Sequence, residues 1–218
     1  MVKFLNKGFV KCLDVMGTDH TIAESARVST GSNKKTPEDD EKLIKYMIEH
    51  KHTSPFEFAE LTFHIKVPIF VMRQWVRHRT ANISEISGRY QKLKPEFYVP
   101  KTFRLQGETN RQSSYGEVNS PSPKIIVEKA CVCAWEDYEE LLAIGVCREQ
   151  ARMVLPLNIF TEFYWKIDLH NLLHFLELRL APEAQEEMKV YARDIERFVR
   201  NQFPITHKYW LYRTGYKA

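Results

Sequence analysis

The stretch RQWVRHRTANISEISGRY, residues 73–90, decides how the rest of the chain is read. It gathers three arginines and a histidine around Trp75 and Val76, then passes into Ser84, Glu85, Ser87 and a fourth arginine, Arg89. Just upstream, Pro68 opens PIFVMRQWVRHR, which reads as a helix over 68–79. On that helix Gln74, Arg77 and His78 fall at i, i+3 and i+4, one polar stripe on an otherwise apolar surface. SEISGRY, 84–90, is short and holds a glycine, so it reads as extended. Glu85, Ser87 and Arg89 then share one side. A polar helical stripe and a polar strand face, joined by a short turn, would line two walls of one pocket.

Arginine suits an anion because its planar fork donates paired hydrogen bonds and stays charged when partly buried. The competing account makes Arg73, Arg77 and Arg79 surface arginines whose stems cover an amphipathic helix. Eight glycines are scattered along the chain without a G-x-G-x-x-G or a Walker sequence. Any nucleotide is therefore held by side chains rather than by a glycine cradle.

Outward from this stretch, FVKCLDVM (9–16) reads as a strand, followed by a helix over 19–28. Thr36 caps a helix running to about His50, with Pro37 at its first position and Glu38, Asp39 and Asp40 in its first turn. SPFE (54–57) has the form of a capping box. Leu61, Phe63, Ile65 and Val67 alternate with Thr62, His64 and Lys66, the period of a strand. Residues 101–122 are polar and aperiodic and read as a mobile loop. Ser122 and Pro123 open a long helix that ends near Gly145, and a helical turn covers 148–154. LNIFTEFYWKI (157–167) reads as strand, Asp168 caps LHNLLHFLELR, and 182–203 forms an amphipathic helix. Strands and helices mix without a βαβ rhythm, so the class is α+β in a single domain spanning 1–218.

The chain has 218 residues, 44% hydrophobic and 28% charged, ordinary for one globular domain. A net charge of +4 is too slight to point to nucleic acid. No apolar run approaches the ~20 residues that span a bilayer, and MVKFLNKGFVKC lacks the apolar core of a signal peptide. Cys12, Cys131, Cys133 and Cys147 follow no zinc or redox spacing and read as reduced thiols of a cytoplasmic protein.

The order of residues in RHRTANISEISGRY resembles the signature of the flavin-dependent thymidylate synthases, close to R-H-R-x-x-S-x-N-E-x-S-x-R-Y. Arg77, His78, Arg79, Glu85, Ser87, Arg89 and Tyr90 match it. Asn82 stands where Ser is common, and Ser84 where Asn is common. GFVKCLDVMG, ARVS (26–29), HTSPFEF (52–58), PIFVMRQWVRHR, REQARMVLPLN (148–158) and LLHFLELR (172–179) look like family blocks in the family's order.

The resemblance implies a mixed sheet with flanking helices, the thymidylate synthase-complementing protein fold. It implies a homotetramer whose active sites draw on several subunits. It further implies methyl transfer to dUMP giving dTMP, with FAD as cofactor and 5,10-methylenetetrahydrofolate and NADPH as co-substrates. By the same resemblance Arg77, His78 and Arg79 contact FAD, with Ser54, Glu85, Asp168, His170 and His174 beside it. Gln74, Arg77, Glu85, Ile86, Ser87, Gly88, Arg89, Arg152 and Arg179 bind dUMP. Asp168 and His170 stand where relatives often carry Asn or Arg.

The resemblance also implies that Arg179 carries the catalytic role, favouring ionisation at N3 of the pyrimidine. Ser87 is read as an orienting hydrogen-bonder rather than a nucleophile, since no Ser-His-Asp arrangement is apparent. Two other classes compete. One is a nucleotide- or RNA-binding protein using the arginines as phosphate clamps. The other is a hydrolase with a metal on His78, His170 and His174, which lack the H-E-x-x-H pattern; the expectation is that no metal is bound.

Overall fold

The structure, a computed structural model, describes residues 7–29, 31, 36–108 and 113–216. Residues 1–6, the first half of the stretch expected to lack a signal peptide, and 109–112 of the expected loop lie outside the described residues.

The sheet that carries the site is built from β1 (Phe9–Met16), β2 (Glu60–Pro68), β3 (Asn82–Glu85) and β6 (Phe160–Asp168), in the order β1-β2-β6-β3. Every pairing in it is antiparallel, which corrects the mixed sheet implied by the resemblance. The reason is topological. β6 returns after a long excursion and inserts between β2 and β3, running opposite to both. β2 and β3 thus point the same way without touching.

Alternation along β2 works as the sequence predicts: Leu61, Phe63, Ile65 and Val67 are all fully buried. Phe63 and Ile65 lie opposite Trp165 and Phe163 of β6. Against this face pack α3 (Ile69–Trp75), α6 (Leu169–Arg179) and α7 (Glu186–Gln202), in one core with Trp75, Phe175, Tyr191 and Ile195. α1 (Asp19–Arg27), α2 (Pro37–Glu49) and α8 (Pro204–Thr214) close one end. Asp19 fastens that end by accepting from the backbone N–H groups of Ile205 and Thr206, at 2.8 and 3.0 Å, and from the Thr206 hydroxyl at 2.6 Å.

Local signals hold where the chain alone satisfies them. Thr36 Oγ1 accepts from the Asp39 N–H, and Asp168 Oδ1 accepts from the Asn171 N–H at the start of α6. They fail at Ser54: Ser54–Phe58 is a 3-10 turn preceded by Thr53, with no side-chain cap, so the capping box is absent. The predicted helix over 68–79 stops at Trp75, with Val76 as its cap. The extended reading of 84–90 ends at Ile86, because Ser87 begins a turn in which its carbonyl accepts from Tyr90 and Gln91 N–H groups. The strand expected from 157 begins at Phe160, and the helix expected from 182 begins at Glu186. Part of the loop 101–122 is paired: β4 (Leu105–Gln106) and β5 (Ser114–Tyr115) form an antiparallel two-stranded ribbon. α4 (Ser122–Ala143) and the four-residue α5 (Arg148–Ala151) complete the chain. α8 had no counterpart in the sequence reading.

Trp75 lies at the crossing of these layers. Its indole meets Trp165 at 5.3 Å and 90°, Phe175 at 5.1 Å and Phe163 at 5.5 Å between ring centroids. Its buried N–H has no described acceptor. Trp75→Ala should therefore destabilise the fold by about 3–5 kcal/mol. Trp75→Phe should cost less, since it also removes the orphaned donor. Urea unfolding followed by far-ultraviolet circular dichroism measures both, and near-equal midpoints for Trp75→Ala and wild type would refute the placement.

Candidate active site

Because Trp75 is buried, the chain leaves α3 in a turn, with the His78 N–H donating to the Trp75 carbonyl at 3.0 Å. Arg77 and Arg79 emerge exposed, and neither has an acidic partner among the described residues. His78 turns inward, its ring 4.8 Å from that of Phe175 at 68°. Arg179, at the last position of α6, closes the arrangement. Its Nε donates to His78 Nε2 at 3.0 Å, and its Nη2 donates to the Gln74 carbonyl at 3.0 Å.

That first bond assigns the imidazole. An arginine can only donate, so His78 Nε2 is a bare lone pair and a neutral ring carries its proton on Nδ1. Burial pushes the His78 pKa down, the positive charge of Arg179 and then His174 add to the effect, and the value falls to about 4. His78 is thus a neutral ring at physiological pH. Burial also lowers the Arg179 pKa, but a guanidinium keeps its charge far above neutral pH.

Three clefts meet around these residues. One of about 240 Å³ is lined by Arg77, His78, Arg79, His174 and Arg179. His174 is shared with a second, of about 230 Å³, that includes His52, Thr53 and His170. Arg179 is shared with a third, of about 710 Å³, that includes Gln74, Arg104 and Gln185. Gln74, Arg77, His78, Arg79, His170, His174 and Arg179 are thereby brought into one connected region.

The remaining residues singled out from the sequence gather elsewhere. The Ile86 N–H donates to the Glu162 carbonyl at 2.9 Å, extending the β3 pairing, and Glu85 accepts from the Thr161 hydroxyl at 2.6 Å. Arg152 lies directly over Gly88, where an added Cβ would come within 3.3 Å of its Cδ, so glycine permits the approach. Arg89 pairs with Glu149 at 2.9 Å, and Arg148 donates to the Tyr90 carbonyl at 3.4 Å. Ser87 Oγ accepts from the Arg89 N–H at 3.2 Å, and no described hydrogen bond joins it to a base. Ser87, Gly88, Arg89 and Arg152 form one cluster, and none of them lines the three clefts.

Asp168 spends both carboxylate oxygens on Asn171, one on its backbone and one on its side-chain amide at 2.7 Å. It serves here as a helix cap. Thr53, rather than Ser54, lines the second cleft. Among the described residues no three His, Cys, Asp or Glu side chains converge as a metal site.

Residues 11–205 match the family described as thymidylate synthase complementing protein. The chain belongs to this family. It is 53% identical over 204 residues to the flavin-dependent thymidylate synthase of Thermus thermophilus, covering 94% of this chain and 76% of that protein. The flavin-dependent thymidylate synthase of Kosmotoga olearia is 44% identical over 214 residues, covering 96% and 93%. Among solved structures, the UMP/dUMP methylase PolB from Streptomyces cacaoi bound with 5-Br dUMP superposes with a TM-score of 0.87 at 30% identity. That match covers 94% of this chain and 95% of PolB.

Family membership sits well with a first cleft lined by three arginines and no carboxylate. Arg104 and Gln185, which line the third cleft from outside the signature, and Glu187, which bonds both, were missed from sequence. They lie far apart along the chain, and only folding joins them. His52 and Thr53 fall inside the quoted block HTSPFEF, where the Ser54–Glu57 spacing drew attention to Ser54 instead.

The His78 assignment gives a titration test. Its folded pKa, about 4, lies below the unfolded value of ~6.5. The unfolded chain therefore takes up a proton first as pH falls, and stability is lost progressively between about pH 6.5 and 4. The His78 ring-proton NMR signal should titrate near 4. Arg179→Met should move it part of the way up, because burial, the larger cause, remains. A wild-type midpoint near 6.5 would contradict the neutral ring.

Proposed function

We propose that this protein is a flavin-dependent thymidylate synthase, an enzyme that converts dUMP to dTMP. The carbon donor is 5,10-methylenetetrahydrofolate, and NADPH is the reductant through FAD. The observation that carries the reading is the half-buried Arg179 bridging His78 and Gln74 where two clefts meet. When bound, FAD supplies the hydride chemistry.

The residues present fit that group in part. Arg77 and Arg79 offer two guanidiniums without described acidic partners for a pyrophosphate, and neutral His78 adds a face without further charge. A cleft of about 240 Å³ falls below the ~300 Å³ at which pockets begin to enclose even drug-sized ligands. A dinucleotide would therefore extend beyond that cleft, into the adjoining ones or onto walls from outside this chain.

Arg179 would set its fixed charge against the pyrimidine, favouring negative charge at N3 and so electron density towards C5. Gln74 and Arg77 would orient the nucleotide. Glu85, Ile86, Ser87, Gly88, Arg89 and Arg152 would hold its phosphate side, with Ser87 as an orienting hydroxyl. That second cluster is separate from the clefts within one chain, which supports a homotetramer of single-domain subunits with shared sites. α4 points the same way: Ile125, Ile126 and Val132 are exposed, at 60%, 66% and 56%, on a helix of 22 residues. Four unpaired thiols suit the cytoplasm.

The protein should purify yellow or take up FAD on addition, and failure to bind FAD under native conditions would overturn the reading. In rapid-mixing experiments Arg179→Ala should slow dUMP-dependent flavin oxidation by ~10²–10³, the usual cost of losing such a donor. It should spare flavin reduction by NADPH. Ser87→Ala should be milder, and complete loss of turnover in it would return Ser87 as a nucleophile. Mixing inactive Arg89→Ala with inactive Arg179→Ala subunits should restore activity after exchange; an active monomer in sedimentation would exclude the shared site.

A further inference from the structure

Glu187 sits at the first turn of α7, only 5% exposed, yet its carboxylate is fully engaged. Arg104 Nη2 donates to both of its oxygens, at 2.9 and 2.8 Å, while Arg104 Nε donates to Ser114 Oγ at 2.9 Å. Glu187 thus clamps the β4–β5 ribbon over the largest of the three clefts. The Tyr98 hydroxyl donates to Glu187 at 3.3 Å, and Gln185 Nε2 donates to it at 2.9 Å. Burial opposes ionisation of Glu187, but the bonds from Arg104 and Gln185 outweigh it and hold its pKa below the usual carboxylate value.

An ionised carboxylate only accepts. Gln185 must therefore turn its NH₂ to Glu187, which leaves its Oε1 to face Gln74. Gln74 Nε2 donates to that oxygen. The polarity passes along the relay, so Gln74 is left with its own Oε1 as the free end, and no described residue donates to it. We propose that Glu187 is a positioning residue: acting through Gln185, it fixes the Gln74 amide so that its carbonyl oxygen meets the ligand beside the Arg179 donor. The ligand group this selects is a neutral hydrogen-bond donor, a sugar hydroxyl rather than the imide N–H, because an acceptor at that N–H would oppose negative charge at N3. The inference rests on the substrate reading above.

Two variants break the relay at different places. Gln185→Met removes the intermediate amide and leaves the Glu187–Arg104 pair intact. Glu187→Gln removes the charge that imposes direction. Each FAD-loaded protein is titrated with dUMP, with dCMP, whose ring nitrogen N3 carries no hydrogen, and with 2′,3′-dideoxyuridine monophosphate. Both variants should bind dUMP about tenfold to hundredfold more weakly than wild type, since a freed amide no longer presents its acceptor. For 2′,3′-dideoxyuridine monophosphate, which lacks the sugar hydroxyl, that penalty should vanish, and for dCMP it should persist. A penalty that vanished for dCMP instead would overturn the choice of the hydroxyl. Tyr98→Phe, which leaves both Arg104 and Gln185 on Glu187, should bind all three like wild type.

A penalty in Gln185→Met that persists equally for both analogues, or no penalty at all, would overturn the relay. Gln185→Met decides the matter alone if Glu187→Gln does not fold. Wild-type protein that binds FAD but no dUMP would instead overturn the substrate reading, and the relay with it.

Discussion

Burial of Trp75 is the constraint on which the site depends. The indole is enclosed by rings from β6, α6 and α7, so α3 has to end there rather than run on to Arg79. Three consecutive polar residues then follow in a turn instead of on a helical stripe. His78 is folded against Phe175, which itself packs on Trp75. The ring that grips Arg179 is thus mounted on the same aromatic cluster that stabilises the core. Movement of the helix end would cost packing as well as hydrogen bonds.

Electrostatics around that cluster are divided by depth. Near the surface, Arg77 and Arg79 keep their charge available in solvent. Deeper, His78 is kept neutral by burial and by its cationic neighbours, and Arg179 uses two of its donors on fixed protein acceptors. The nearby buried carboxylate, Glu187, is engaged by its own set of donors, Arg104 and Gln185, both of which line the third cleft. Positive charge is therefore concentrated where an anionic nucleotide would enter, while the buried charge of Glu187 is neutralised by Arg104. Holding both signs close together without collapse into a direct pair requires Gln74 and Gln185 between them. Amides carry a donor and an acceptor and can join the two regions without a charge of their own.

Much of this was legible one segment at a time. The period of two in β2, the cap at Thr36 and the cap at Asp168 each depend on residues within a few positions, and each appears as read. The Ser54 capping box, the helical stripe through His78 and the extended face through Arg89 did not survive. In the last two a partner distant in sequence decided: core packing at Trp75, and the segment 148–152 docking on 87–90. The β4–β5 ribbon and α8 escaped notice because the ribbon has too few residues to show a period. α8 is held at its start by Asp19, which lies 187 positions from Thr206.

The sequence by itself determined the chemistry available, namely the ordered signature from Arg77 to Tyr90, the blocks around it and hence the family. Residue identity and short spacing are properties of the chain, and folding does not change them. Tertiary structure alone decided the direction of the sheet, the protonated nitrogen of His78 and the division of the signature between two places. It also decided the orientation of the Gln74 amide. Those four depend on what stands within hydrogen-bonding or van der Waals range, and that neighbourhood is assembled from segments about a hundred residues apart, as Arg179 and His78 are.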